Sequence, residues 1–411
     1  MVKWNWKTNT WKCNKCGAEN NPPLANFCSQ CGTLTDKATV IAAPIAPSES
    51  RPPKEYMVPL RENPDLLLNI FGFALVVEKT TGNMVVFPDP LCGSTPFFLP
   101  RITEGIAHVG FDQWWVYVLN IQGTLSVFPV SALSNEYIAK KTNWQPYVEN
   151  VHKFWLFKNR LLVLDEAGCK IGDTPSIHNF WAEGEETAYK SRGIDTPFDV
   201  ETLVPLQGED FLLALIGENN IALLTDKSVS KPYKGFLDDG KSHWVGSNRE
   251  GRLAFRQGDG GVGIISWAQD NLEPIPYTIP DLHEATTLHT IDIVGQDWFV
   301  AITSTDINLV NPVTRRVEKQ YPTFMTEINK STSFGNLFVG FQNNDDPAGP
   351  PLVALFRLDP NSGISRQRWW SLQNLTPMTA LAGFGHSVYV LMRDGNYTML
   401  YCYPLNGNRE T

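Results

Sequence analysis

At 411 residues, with 42% hydrophobic and 11% aromatic content, the chain carries enough apolar side chains to bury large cores, which excludes an intrinsically disordered protein. Its net charge of -9 is uneven: residues 1 to 32 hold Lys3, Lys7, Lys12 and Lys15 against Glu19, a net +3, so the remainder stands at -12. An acidic body excludes a broad nucleic-acid surface there and leaves any such contact to the N-terminal segment.

The first element is a cysteine module over residues 1–33. Cys13-x2-Cys16 and Cys28-x2-Cys31 are separated by eleven residues, and each pair is followed by glycine, Gly17 and Gly32. In each Cys-x-x-Cys-Gly turn two thiolates can face one tetrahedral ion, and glycine lets the backbone turn behind them. The spacing predicts one structural Zn2+ on Cys13, Cys16, Cys28 and Cys31, supplying most of the folding free energy of so small a unit. The competing reading, two redox dithiols, wants a βαβ context that the sequence lacks. The strings Lys12 to Asn20 and Asn26 to Thr33 resemble the short zinc ribbons found at the termini of prokaryotic multidomain proteins. Trp11-x-Cys13-x2-Cys16 with Asn20 also resembles the Ran-binding-protein type of zinc finger. Gly17-Ala18 stands where that family's ubiquitin-binding members carry Thr-Phe, so the resemblance does not imply ubiquitin recognition.

Lys3, Trp4, Trp6, Lys7, Trp11, Lys12 and Lys15 are interleaved. Such a pattern suits a partner contact or a single-stranded nucleic-acid platform, with bases stacked on rings and lysines neutralising phosphates. It equally suits tryptophans that cover a metal site or plug into a neighbouring protein.

Residues 34–54 have no aromatics and include Pro44, Pro47, Pro52 and Pro53, a semi-extended linker. From 55 to 411 a pattern of short apolar strands and tight turns recurs eight times. Its second strands are anchored at Ala74–Val77, Trp115–Val118, Leu161–Leu164, Phe211–Ala214, Leu253–Phe255, Phe299–Ile302, Phe338–Gly340 and Val388–Leu391. Successive anchors lie 41, 46, 50, 42, 46, 39 and 50 residues apart, the period of a four-stranded propeller blade. The expected fold is all-β: a β-propeller of eight blades, with seven as the variant, preceded by the zinc ribbon. The last unit runs out after Tyr397–Pro404, three strands into its blade, and the segment Glu55–Leu60 is expected to supply the missing outer strand and close the ring. Asn311-Pro-Val-Thr-Arg-Arg-Val317 and Leu358-Asp-Pro-Asn-Ser-Gly-Ile364 resemble the outer-hairpin turns of quinoprotein-like propellers. The adjacent cysteine pair of quinoprotein dehydrogenases is missing, so that superfamily's redox chemistry is not implied.

No catalytic constellation emerges. Gly258-Asp-Gly-Gly-Val-Gly263 matches the dinucleotide fingerprint but is followed by a strand-like run, so it reads as a glycine-rich hairpin. His283, Glu284 and His289 lack the spacing of a helical zinc protease, and Glu183, Glu185, Asp238 and Asp239 read as solvated connections. Trp114-Trp115 and Trp369-Trp370 read as packing between blades. With no secretory core at the start and no apolar run of about 18 residues, neither export nor membrane spanning is expected. Cys92, Cys169 and Cys402 form an odd remainder that points to a reducing cytoplasm. The sequence therefore predicts a non-enzymatic scaffold or adaptor subunit of a cytoplasmic, prokaryotic-type assembly, binding other protein subunits. The alternative is a nucleic-acid-binding regulator acting through the ribbon. A sugar or substrate site in a propeller's centre is a third reading.

Overall fold

A computed structural model describes residues 3–5, 10–12, 19–20, 54–60, 64, 66–90, 93–157, 159–176, 189–206, 212–217, 220–225, 228–234, 243–246, 252–256, 261–267, 274–279, 282–285, 287–293, 296–303, 305–322, 332–334, 337–342, 352–371, 376–382 and 387–404. Three short strands open the chain: β1 (Lys3–Asn5), β2 (Thr10–Lys12) and β3 (Glu19–Asn20), in one antiparallel sheet of order β1-β2-β3.

Among the described residues eight four-stranded antiparallel sheets follow. The first contains β5 (Leu66–Ile70), β6 (Phe73–Glu78), β7 (Asn83–Phe87) and β8 (Phe97–Phe98), hydrogen-bonded in chain order, and comes after β4 (Lys54–Met57). The second to seventh sheets occupy residues 106–148, 153–193, 202–234, 243–278, 287–322 and 332–371, and the eighth begins at Thr376. The eight apolar anchors fall in the eight second strands, with Phe211 alone outside the described residues.

Period-two geometry explains why the central residues of these second strands are apolar in unbroken runs. In β6, Ala74 and Val76 pack toward the eighth sheet, while Leu75 and Val77 pack toward the second. In the second sheet, Val116 and Val118 turn back to the first sheet, and Trp115, Tyr117 and Leu119 turn forward to the third. A strand buried on both faces reads as a continuous hydrophobic run. The result is eight cores, each filled from two consecutive sheets, the last shared between the eighth sheet and the first.

The eighth sheet shows how the ring closes. Its third strand, Tyr397–Pro404, pairs with β4 in the register Met399↔Met57, Leu400↔Tyr56, Tyr401↔Glu55 and Cys402↔Lys54. The expected N-terminal closing strand is therefore present, and it begins at Lys54, one residue inside the segment read as linker. Tyr56 ties it to the first sheet: its ring meets Phe87 edge-on at 5.7 Å, and its hydroxyl donates to the Pro90 carbonyl at 2.6 Å. Tyr389 of the eighth sheet donates in turn to the Gly72 carbonyl at 3.0 Å.

The turns follow from their residues. Phe71 and Gly72 join β5 to β6 with φ of 53° and 99°, the paired positive values a two-residue hairpin requires. In the seventh sheet Asp359 accepts from the Asn361 and Ser362 amides at 2.7 and 3.2 Å, and Gly363 takes the left-handed position at φ 95°. Asn311 caps Val313 and Thr314 in the sixth sheet in the same way. A short α-helix, α1 (Glu136–Lys141), lies in the connection to the outer strand of the second sheet; Asn135 caps it by accepting from the Tyr137 and Ile138 amides.

Candidate interaction surfaces

At the N-terminus, the β1–β2 register sets Lys3 opposite Lys12 and Trp4 opposite Trp11. It thus brings together four of the seven residues expected to make contacts. Trp6, Lys7 and Lys15 lie outside the described residues, as do Cys13, Cys16, Cys28 and Cys31. The β2–β3 pairing of Lys12 with Glu19 makes residues 13 to 18 the connection between two paired strands, and this connection contains Cys13 and Cys16.

A second surface lies on the rim. Met57 on β4 and Phe98 on β8 are 60% and 45% exposed, on the outer strands of adjacent sheets. Tyr137 and Ile138 project from α1, and Trp144 beyond the helix donates to the Pro100 carbonyl at 2.7 Å, fastening this connection to the first sheet. Tyr397, at the start of the third strand of the eighth sheet, is also exposed.

The sequence motifs resolve into packing. Gly263 lies in the strand Val262–Trp267, paired with Phe255 across the hairpin, and a Cβ there would come within 2.1 Å of the Phe255 ring. The glycine makes room for an aromatic side chain. Residues 258–260 of that motif, with Glu183, Glu185, Asp238 and Asp239, lie outside the described residues. His283 and Glu284 are exposed in a connection, whereas His289 is in a strand with its ring 5.4 Å from Phe338. Trp115 is wholly buried and donates to the Pro175 carbonyl at 2.9 Å, while Trp114 packs half-buried beside it. The side chains of Trp369 and Trp370 lie outside the described residues.

Sequence reasoning missed the polar centre of the second sheet. Asp112 starts the turn between that sheet's first two strands and accepts from the Trp114 and Trp115 amides at 2.7 and 2.8 Å and from the Tyr117 hydroxyl at 2.7 Å. Burial raises the Asp112 carboxyl above the usual aspartate range despite these three donors. Burial, then the charge of Asp112, raises Tyr117 as well. An aspartate opening a turn between two apolar runs was the available signal. Among the described residues no group of three or more His, Cys, Asp or Glu side chains is placed to hold a metal ion.

Four-stranded antiparallel sheets arranged so that each packs on two neighbours, with the last returning to the first, define a β-propeller. The chain is similar to a solved structure of the Dos1 propeller, at a TM-score of 0.56 and 11% identity over 87% of this chain and 96% of that one. It is also similar to Sqt1 of Saccharomyces cerevisiae (TM-score 0.54, 10% identity, 87% and 100% coverage) and to the C-terminal WD40 domain of Sif2 (0.52, 10%, 84% and 98%). These likenesses show the fold. No family model matches the chain, and no curated protein matches it.

Proposed function

We propose that this protein is a non-enzymatic interaction platform, an eight-bladed propeller that docks other protein subunits on its rim within a cytoplasmic, prokaryotic-type assembly. Each four-stranded sheet is one blade in this reading, which the eight shared cores support. The observation that carries it is a set of exposed large apolar side chains: Met57 and Phe98 on outer strands, Tyr137 and Ile138 on α1, and Tyr397 at the start of the third strand of the eighth sheet. Exposed apolar side chains of this size are candidate anchors for a protein contact. The free and buried Cys169 and Cys402 accord with a reducing compartment. Affinity capture with the full chain, run beside Phe98→Glu and Ile138→Glu, tests the platform. A stoichiometric partner retained by the parent and lost by both folded variants supports it; equal recovery by all three overturns it.

The ribbon is the second contact, folded around one Zn2+ on Cys13, Cys16, Cys28 and Cys31 and joined to β4 by its linker. Linked contacts of modest strength raise avidity without new interactions at either site. Metal analysis of the purified chain is expected to return one zinc per chain in the parent and none in Cys13→Ser/Cys28→Ser; a parent purified without zinc overturns the assignment.

The nucleic-acid reading keeps one support, the cross-strand pairing of Trp4 with Trp11 and Lys3 with Lys12. It predicts a single-strand affinity that falls steeply with salt and is lost in Lys3→Glu/Lys12→Glu; no binding by the intact chain removes it.

A further inference from the structure

Two outer hairpins are built on one plan and part company where the backbone turns left-handed. They are Asn311-Pro312-Val313-Thr314-Arg315 of the sixth sheet and Asp359-Pro360-Asn361-Ser362-Gly363 of the seventh. In each, the first side chain accepts from the amides two and three residues on, at 2.8 and 3.2 Å from Asn311 and at 2.7 and 3.2 Å from Asp359. Proline comes second in both and a hydroxyl residue fourth. The fifth residue takes positive φ, 59° at Arg315 and 95° at Gly363.

Glycine is what that conformation calls for, because a Cβ crowds the following carbonyl. At Gly363 nothing stands within 4 Å of where a Cβ would be, so conformation rather than space selects glycine there. Arg315 bears the strain instead, and a strained residue persists where its side chain contributes elsewhere. Its guanidinium reaches back to the fifth sheet, 5.1 Å from the Tyr277 ring and donating at a long 3.5 Å to the Ser266 hydroxyl. Tyr277 lies opposite Ile264 of the core shared with the sixth sheet, and Ser266 follows two residues later on the same face.

These contacts leave most of the fork unspent. A guanidinium holds its N–H donors in one plane, and one long bond to Ser266 leaves the edge that grips a carboxylate through two parallel bonds. Among the described residues no carboxylate pairs with Arg315. Glu318, further along the hairpin, accepts from the Thr314 hydroxyl at 2.7 Å. The facing strands, Val262–Trp267 and Pro274–Thr278, contain no charged residue, and Asp270 and Glu273 between them lie outside the described residues. Arg316 is exposed, and Lys319 lies opposite Leu309, toward the seventh sheet. Apolar surface flanks the guanidinium: Ile275, opposite Ser266, is 45% exposed, and Val313, two residues before Arg315, is 59% exposed.

We propose that Arg315, backed by Tyr277, anchors a docking site between the fifth and sixth sheets for an acidic segment of a partner protein. The guanidinium takes one carboxylate, and an adjacent apolar side chain of the segment rests on Ile275 and Val313. Charge selects this occupant: the site offers a guanidinium with no described carboxylate, in a chain whose net charge of -9 repels acidic segments elsewhere. The site deepens the reading of the chain as a platform and rests on it, at residues other than Phe98 and Ile138.

Fluorescence anisotropy of the full chain with a labelled peptide of alternating leucine and glutamate tests it, beside a leucine–glutamine peptide. Saturable binding of the first alone is expected, weakened about tenfold or more in Arg315→Gly and in Ile275→Glu. Arg315→Lys, which keeps the charge without the planar fork, should weaken it less. Arg315→Gly also separates a docking residue from a strap: relieved of left-handed strain, it should melt no lower than the parent. Binding left unchanged by Arg315→Gly, or equal binding of the leucine–glutamine peptide, overturns the proposal. A melting temperature lowered in Arg315→Gly and lowered as far in Asp270→Asn/Glu273→Gln makes Arg315 an internal strap and also overturns it. Self-association of the parent that Arg315→Gly abolishes would assign the site to a second copy, and tighter binding of single-stranded DNA lost in that variant would assign it to phosphates; either overturns it. Loss of partner capture in Phe98→Glu and Ile138→Glu without any peptide binding strikes this site and leaves the platform reading standing.

Discussion

Asp112 does for the second sheet what a cap does for a helix, and it shows how much can depend on one side chain. Replacing it with alanine leaves the Trp114 and Trp115 amides and the Tyr117 hydroxyl without their acceptor, in a setting where Trp115 and Tyr117 are fully buried. The expected loss is about 3 kcal/mol, measured by urea denaturation, because orphaned buried donors cost about 1–3 kcal/mol each but relax in part together. The carboxyl also gives stability a pH dependence. Its folded-state pKa lies above the ordinary value, so the folded state holds this proton more tightly than the unfolded chain does. The contribution is complete below the usual aspartate pKa of about 4 and is lost as pH rises through the raised one. Asp112→Asn should therefore gain on the parent in urea stability as pH rises from about 4 toward neutrality; a constant difference would contradict the assignment. At Gly263, alanine would drive a methyl into the Phe255 ring, at an expected cost of about 3 kcal/mol by the same measurement. Burial pushes the Cys169 thiol up to about 11 and the Cys402 thiol up to about 12. Neither should react with a thiol reagent at neutral pH in the folded chain; rapid labelling of either would contradict their burial.

Elements were legible where a strand's environment left a mark on its composition. The middles of the second strands are buried on both faces, so their central residues form apolar runs, and the eight anchors fall in them, Phe211 alone lying outside the described residues. The closing strand was legible for a different reason, since the last repeat lacked a strand and the chain before the first repeat had a spare one. Its first residue was not, because Lys54 is exposed and a charged residue on an edge strand looks like linker. Turn residues were readable from Asp359 and Asn311, whose side chains cap the following amides. Phe71 was not, because an aromatic at positive φ runs against the preference for glycine or asparagine there. It is held by packing on Phe111 at 5.8 Å and by Asn69, which accepts from the Gly72 amide at 2.9 Å. Exposed Met57 and Tyr397 could not be read either, because exposure depends on which neighbour covers a strand. The candidate contacts were thus legible as residue types in the N-terminal segment and not legible at the exposed positions of the sheets.

At the scale of the whole molecule, each core belongs to two sheets, so no sheet can lose its packing without stripping a face from its neighbours. The ring has one point where the chain does not run on from sheet to sheet, the seam where β4 completes the eighth sheet. Val58, just beyond β4, is buried, and Tyr56 and Leu60 are packed in the core shared by the eighth and first sheets. At about 1.5–3 kcal/mol for each fully buried side chain, less for the two partly covered, a chain beginning at residue 66 forfeits about 5 kcal/mol. It also exposes the edge of the strand Tyr397–Pro404. That loss is comparable with the whole stability of many domains, about 5–15 kcal/mol. Calorimetry should show the melting temperature of the shortened chain falling by many degrees, still in one transition because the loss spreads around the ring. A chain beginning at residue 34, which keeps β4, should melt close to the parent. An unchanged melting temperature on removal of residues 1–65 would show that the seam carries no load; two separate transitions would show that the eighth sheet folds apart from the other seven.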